Sequence, residues 1–315
     1  MAGQNPYQTL YGVKRERPEI DTGRAQLVEF SFGRDINRSM AARDRTQDKK
    51  EEPLVNYSNL LVEKKKGTAW LTLNRPDAMN ALDPETHKQL RQCLSELDED
   101  PEVRVIVITG AGRAFSAGGD LKWTLAHQDD PIAVAEYGQL FHDTFYLMEH
   151  MNKINIAMIN GHALAGGLEL AEACDLAYAA DDVNIGDQHA SIGLIPSGGG
   201  SQRLPRLIPL RVARELLFTG DWMSAKEAER WGIINKAVPR EKLREYVEGV
   251  ADKLVQRSPM ALKYTKYSIN RGMQVDLYTG IEIEKAASRA HFQTQDAHEG
   301  LKSFQEKRKP NFPGK

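Results

Sequence analysis

Hydrophobic and polar positions follow two periods along this chain, and the switch between them divides it. Leu60-Leu61-Val62-Glu63, a turn at Lys66-Gly67 and Ala69-Trp70-Leu71-Thr72-Leu73 predict a β-hairpin. Asp83-Pro84 then opens a helix as N-cap and first-turn proline, with Leu90, Cys93 and Leu94 along one face. Val105 to Thr109 and Ile154 to Ile159 are short apolar runs bounded by turn residues, the signature of buried strands. Strand, turn and helix units alternate up to about Pro205, which predicts an α/β core built from repeated strand–strand–helix units. Beyond Arg206 the period is almost wholly helical. Ser224 caps a helix that runs through Trp231 and stops at Gly232, Lys236-Ala237-Val238 is a short strand, and amphipathic helices are expected near 240–256, 258–271, 275–292 and 296–308. Residues 1–54 have weak periodicity and mixed charge, ending in Asp48-Lys49-Lys50-Glu51-Glu52-Pro53. They predict a polar extension, either disordered or packed as an arm on a neighbouring subunit. The expected division is therefore an extension at 1–54, an α/β core at 55–206 and a helical region at 207–315. The apolar faces of that last region have no obvious partner sheet, so subunit contacts are expected there.

Composition narrows the function classes. The 315 residues carry 42 basic and 44 acidic side chains, a net charge of −2, which offers no electrostatic reason to expect nucleic acid or an acidic membrane as partner. No apolar run approaches the length of a membrane span. Met1 to Asp21 mixes Lys14, Arg15 and Arg17 with Glu16, Glu19 and Asp21 and lacks an apolar block, so no signal peptide is expected. Cys93 and Cys174 lie far apart in apolar helical contexts, as packed free thiols in a reducing compartment would, and the expected location is the cytoplasm. His142 and His150 fall near one helical face without a carboxylate or cysteine to complete a metal set. Gly110-Ala111-Gly112 and Ser197-Gly198-Gly199-Gly200 lack the other elements of phosphate-binding loops. No metal or redox cofactor is implied.

The chemistry concentrates in two segments. Arg113-Ala114-Phe115-Ser116-Ala117-Gly118-Gly119-Asp120-Leu121 follows the first apolar strand, and Asn160-Gly161-His162-Ala163-Leu164-Ala165-Gly166-Gly167-Leu168-Glu169-Leu170 follows the second. Each passes through small residues into a helical pattern, presenting backbone N–H groups without intrahelical acceptors. Two such donors aimed at one point hold the negative charge that develops on a carbonyl oxygen, which suits thioester enolate or oxyanion chemistry.

These segments resemble the A-F-x-A-G-x-D-L and N-G-x-A-x-G-G-G-x-E-L motifs of the crotonase family, the enoyl-CoA hydratase/isomerase superfamily, with Ala165 in place of the first glycine of the triple. The resemblance also takes in Leu73-Asn74-Arg75-Pro76, Ala78-Met79-Asn80-Ala81-Leu82, Gly199 to Pro205, and Glu299-Gly300 through Phe304 to Arg308, so it covers the chain from about Ser58 onward. It implies a spiral core of ββα units, a helical C-terminal trimerisation region, and trimers commonly paired into hexamers. A coenzyme A thioester is then the substrate. The Gly119 and Gly166 amides correspond to the oxyanion donors and Glu169 to the first catalytic glutamate. CoA contacts fall on Ala78, Asn80, Ala117 and Lys122, and on Phe304 and Lys307 reaching over from a neighbouring subunit. Trp123, Phe141, His142 and Ser197 border the acyl group. Among the residues left over, Ser116 is expected to be a packing residue, Glu172 solvated or paired, and Asp175 a turn or cap residue.

One position departs from the pattern. The second glutamate of the hydratases falls on His189, in Gly186-Asp187-Gln188-His189. Imidazole serves as acid or base near neutral pH, but as a cation it donates and cannot accept. His189 is therefore expected to protonate an enolate, orient water or shape a different acyl group. If the segment is a strand, Asp187 lies on the same side and could orient the ring. A Ser197–His189–Asp187 nucleophilic triad is a further arrangement these residues allow. Hydration or dehydration of an α,β-unsaturated acyl-CoA leads, with double-bond isomerisation and C–C or thioester hydrolysis of an alicyclic or aromatic acyl-CoA as alternatives.

Overall fold

A computed structural model of the chain describes residues 57–315. The extension expected at 1–54 lies outside the described residues. The chain starts as an antiparallel hairpin, β1 (Leu60–Lys65) and β2 (Thr68–Leu73), whose two-residue turn puts Lys66 at φ 51° and Gly67 at φ 81°. Positive φ at both positions matches the right-handed twist of the flanking strands. Asp83 caps α1 (Pro84–Glu99), its carboxylate accepting from the Thr86 amide at 2.8 Å.

Three strand pairs follow, each leading into helix. They are β3 (Val105–Gly110) and β4 (Ala114–Ser116) before α2 (Leu121–His127) and α3 (Pro131–His150). Next are β5 (Ile154–Ile159) and β6 (His162–Leu164) before α4 (Gly166–Glu172), then β7 (Leu176–Ala180) and β8 (Asn184–Gly186) before α5 (Gly200–Leu207). The rest comprises α6 (Leu210–Thr219), β9 (Trp222–Ser224), α7 (Ala225–Trp231), β10 (Lys236–Val238), α8 (Leu243–Val255), α9 (Pro259–Gly272), α10 (Leu277–His291) and α11 (Gln295–Gln305).

The first strand of each pair joins a six-stranded sheet ordered β1-β2-β3-β5-β7-β10, and the second joins a four-stranded sheet ordered β4-β6-β8-β9. Within the repeats all neighbours are parallel, so the chain advances one strand in both sheets per turn of a spiral. This is the expected α/β architecture of ββα units. Every residue of β3 and β5 is buried, which explains their nearly continuous apolar runs, interrupted only by Thr109 and Asn155 near the ends of the strands.

The helical third does more than face outward. Leu243, Val247 and Ala251 of α8 are buried in the main core, and α8 lies against β2, β3, β5 and β7. Helix α9 is tied in by Lys266, whose buried Nζ donates to Met148 O at 2.8 Å, Lys153 O at 3.1 Å and Asp175 Oδ2 at 2.8 Å. Asp175 lies in the bend between α4 and β7, as local sequence suggests, but its carboxylate does more than shape that bend. It also accepts from the Asn155 amide at 2.8 Å, so it joins β5, β7 and α9. All three ammonium donors are used, and the loss of either charge strands the other. Lys266→Met is expected to lower stability by about 3–5 kcal/mol, with much of that restored by adding Asp175→Asn. Denaturant melts of the single and double variants check this. Among the described residues no helix is long and apolar enough to cross a membrane.

Candidate active site

The loops leaving β4 and β6 meet. Gly118 has φ 92°, and a Cβ there would stand 2.6 Å from the Gly166 nitrogen. A Cβ on Gly166 would lie 3.3 Å from the Gly119 nitrogen and 2.9 Å from Phe141 Cε1. The Gly119 and Gly166 amides therefore flank one small space, and neither has an acceptor among the described residues. Ala165, just before α4, takes φ 50° and ψ −122°, a region non-glycine residues rarely enter. Its amide is held by Gly186 O at 3.0 Å, which anchors that conformation to β8. Gly167 is required by close packing, since a Cβ would fall 2.1 Å from Ser116 O.

Ser116 is a packing residue with its hydrogen bonds spent: the hydroxyl donates to Asn80 O at 2.9 Å and accepts from the Gly118 amide at 3.1 Å. The Asn80 side chain is similarly occupied, donating to Ala111 O and Ala114 O and accepting from the Arg75 amide at 3.0 Å. Of residues 78–80, Ala78 is half-buried and Met79 exposed, while Asn80 is buried.

Glu169 stands one turn into α4 and is 1 % exposed. Its Oε1 accepts from the Gly198 amide at 2.8 Å and the Gly200 amide at 2.7 Å, while Oε2 is buried without a partner. Burial pushes its carboxyl above the ordinary glutamate range, and Asp187 adds to that push. The two amides and His189 pull the other way without cancelling it.

His189 belongs to no strand. Strand β8 ends at Gly186, and Asp187 closes a turn by accepting from the His189 amide at 3.1 Å. The same carboxylate meets His189 Nδ1 at 2.9 and 3.0 Å. The orientation anticipated for a strand is thus reached by a turn in which an aspartate bonds its own backbone two residues on. Because a carboxylate only accepts, Nδ1 carries the proton, and Nε2 is left for other chemistry. Burial works against the imidazolium, but the Asp187 hydrogen bond and charge, with Glu169, raise its pKa above the ordinary histidine value. Ser197 is exposed and makes no hydrogen bond to His189, so the dyad is not extended into a triad.

The remaining expected positions scatter. Phe141 is buried against Gly166, and Trp123 is half-buried with its ring 4.5 Å from that of Tyr137. His142 is exposed, about 100° round α3 from Phe141, and is not brought to the amide pair. Ala117 is half-buried beside the oxyanion loop, with its amide on Met79 O at 3.0 Å. Lys122 is exposed on the first turn of α2, Phe304 is 86 % exposed on α11, and Lys307 is exposed just beyond it.

Two features escaped the sequence. Glu172, expected to be solvated or paired, has both carboxylate oxygens buried without a hydrogen bond. Burial and the nearby Glu169 raise its pKa well above the usual range, against the pull of Arg203. The Gly198 and Gly200 amides that hold Glu169 were also missed, although the glycine run was visible. A Cβ on Gly198 would meet Glu169 Oε2 at 2.6 Å.

Comparison with known proteins identifies the family. The sequence model of the enoyl-CoA hydratase/isomerase family matches residues 63–315. The chain is 39 % identical over 260 residues to a crotonyl-CoA hydratase of Syntrophomonas wolfei, covering 82 % of this chain and 99 % of that protein. It is 37 % identical over 256 residues to a short-chain-enoyl-CoA hydratase of Clostridium acetobutylicum, covering 81 % and 97 %. The crystal structure of an enoyl-CoA hydratase from Bacillus anthracis superposes with a TM-score of 0.78 at 37 % identity, over 82 % of this chain and 100 % of that one. With two free amides facing one space, a buried glutamate and matches of this extent, the chain belongs to the enoyl-CoA hydratase/isomerase family, the crotonase superfamily, and is an enzyme of it.

Proposed function

We propose that this enzyme adds water reversibly across the double bond of an α,β-unsaturated coenzyme A thioester, with Glu169 and His189 as its acid–base pair. The thioester oxygen accepts from the Gly119 and Gly166 amides. Glu169, as carboxylate, takes a proton from water while the water oxygen bonds to Cβ. The π electrons move toward the carbonyl, and the resulting enolate oxygen is held by the two amides. The His189 imidazolium then gives its Nε2 proton to Cα. Passing the proton held by Glu169 to His189 resets the pair, and the steps run backward for dehydration.

The observation that carries this reading is the double contact of Asp187 with His189 Nδ1, which frees Nε2 and favours the imidazolium beside a buried carboxylate. The relatives' names, crotonyl-CoA hydratase and short-chain-enoyl-CoA hydratase, support short enoyl groups as the first substrates to try. Mass analysis after incubation with crotonyl-CoA tests it, and a gain of one water is expected. Release of free coenzyme A would support the hydrolytic reading instead, which the same Asp187–His189 dyad favours as a base for water. A shifted double bond with no mass change would support isomerisation.

The pH profile follows from the same pair. Activity needs Glu169 deprotonated and His189 protonated, so it falls at low pH as Glu169 takes a proton and at high pH as His189 loses one. Asp187 raises both groups. Asp187→Asn is therefore expected to move the alkaline limb of the kcat profile to lower pH, and an unmoved limb would contradict the assignment of His189.

Trimers or paired trimers are proposed as the working assembly, with Phe304 and Lys307 of one subunit meeting the nucleotide of CoA on another. The high exposure of Leu277 (74 %), Tyr278 (82 %) and Phe304 (86 %) on α10 and α11 supports this. Light scattering should return three or six chain masses.

A further inference from the structure

We infer that Tyr137 is the residue that positions the Gly119 amide, through a hydroxyl inserted into the backbone bridge beneath the oxyanion loop. Leu82 and Gly119 form an isolated parallel bridge. Such a bridge is closed by two backbone bonds. The first is direct, from the Leu82 amide to Gly118 O at 2.8 Å. Where the second would run, from the Asp120 amide to Leu82 O, the Tyr137 hydroxyl stands between them. It accepts from the Asp120 amide at 2.8 Å and donates to Leu82 O.

Together these bonds fix both peptide planes around Gly119. In a trans peptide the C=O and N–H point in opposite directions. Holding Gly118 O on Leu82 therefore turns the Gly119 N–H away from Leu82. The hydroxyl holds the next plane through Asp120. Glycine is the softest point in a backbone, and this one carries the donor on which the reaction depends.

The aromatic ring connects this clamp to the second donor. Tyr137 is 7 % exposed and sits edge-on to Phe141 with centroids 5.3 Å apart, and Phe141 is the wall against Gly166. The Tyr137 oxygen would be 3.4 Å from a Cβ on Gly119, so it lies close beside that residue's α-carbon. Burial pushes the phenol pKa above its ordinary value, so the hydroxyl keeps the proton it donates. Tyr137 touches no reacting atom and acts only through Gly119.

This inference rests on the oxyanion role proposed for Gly119. Its test is Tyr137→Phe in the full chain, which keeps the ring and removes only the hydroxyl. Steady-state kinetics with an enoyl-CoA are paired with the absorption of a bound aryl-acryloyl-CoA, whose band moves to longer wavelength as its carbonyl is polarised. The expected result is a loss of about 10- to 100-fold in kcat with little change in KM, and a smaller red shift than in the wild type. Leu97→Ala, a core truncation at the far end of α1, is expected to destabilise the fold and leave the red shift intact. A Tyr137→Phe enzyme with wild-type kcat and full red shift overturns the inference and leaves the oxyanion assignment standing. No red shift in the wild type removes both. If the variant does not fold, hydrogen exchange of the wild type decides. The Asp120 amide should exchange at least about 100-fold slower than an exposed amide, and free exchange there overturns the inference.

Discussion

Glu169→Gln is expected to lower turnover of an enoyl-CoA by about a thousandfold while the protein folds normally and KM changes little. The substitution is close to isosteric, and the site accommodates it. The glutamine carbonyl oxygen can take the place of Oε1 on the Gly198 and Gly200 amides, while the NH2 group occupies the position of Oε2, which has no partner to lose. What disappears is a basic oxygen beside the amide pair. His189→Ala should cost about a hundredfold or more, because in the proposed mechanism the imidazolium supplies the proton to Cα and nothing else in the described hydrogen-bond network occupies its place. Following the loss of enoyl-thioester absorbance measures both. Unchanged turnover in the two variants would reject their roles.

The second large effect concerns space rather than acidity. Gly166→Ala would place a methyl group 2.9 Å from Phe141 Cε1 and 3.3 Å from the Gly119 nitrogen. Even if the ring gives way, the methyl intrudes beside the spot proposed for the thioester oxygen between the two amides. A loss of about a hundredfold in kcat/KM is expected, comparable with removing one oxyanion donor. Gly138→Ala is the matched comparison, because nothing lies within 4 Å of its Cβ position on α3. That change should leave the kinetics alone and stabilise the helix by about 0.5–1 kcal/mol. Equal kinetics for the two variants would contradict the placement of the oxyanion site.

The legible parts of this protein were those governed by local rules. Asp83-Pro84 and Ser224 begin helices because caps and first-turn proline satisfy or remove orphan amides, and both do so here. The apolar runs of β3 and β5 announced strands buried on both faces. The two glycine segments announced an amide pair, because tight turns between a strand and a helix leave few alternatives. The structure brings those loops into contact. What remained hidden depends on groups distant in sequence. The burial of the Glu172 carboxylate oxygens follows from how α4 packs, and helical spacing alone suggested a solvated or paired residue. Asp175 looked like no more than a turn residue because its partner, Lys266, lies 91 positions away. His142 looked equivalent to Phe141 within an aromatic-rich helix, yet one residue turned it outward to solvent. Around His189, the sequence suggested a strand that would align Asp187. The chain turns there instead, and an aspartate hydrogen bond produces the same alignment by other means. Tyr137 could not be singled out among neighbouring aromatics, since its role depends on a bridge between Leu82 and Gly119.

The most direct test is a crystal structure of the Glu169→Gln enzyme holding an enoyl-CoA. The thioester oxygen is expected about 3 Å from both the Gly119 and Gly166 nitrogens, with Cα facing His189 Nε2. A bound thioester whose oxygen meets neither amide would contradict the account.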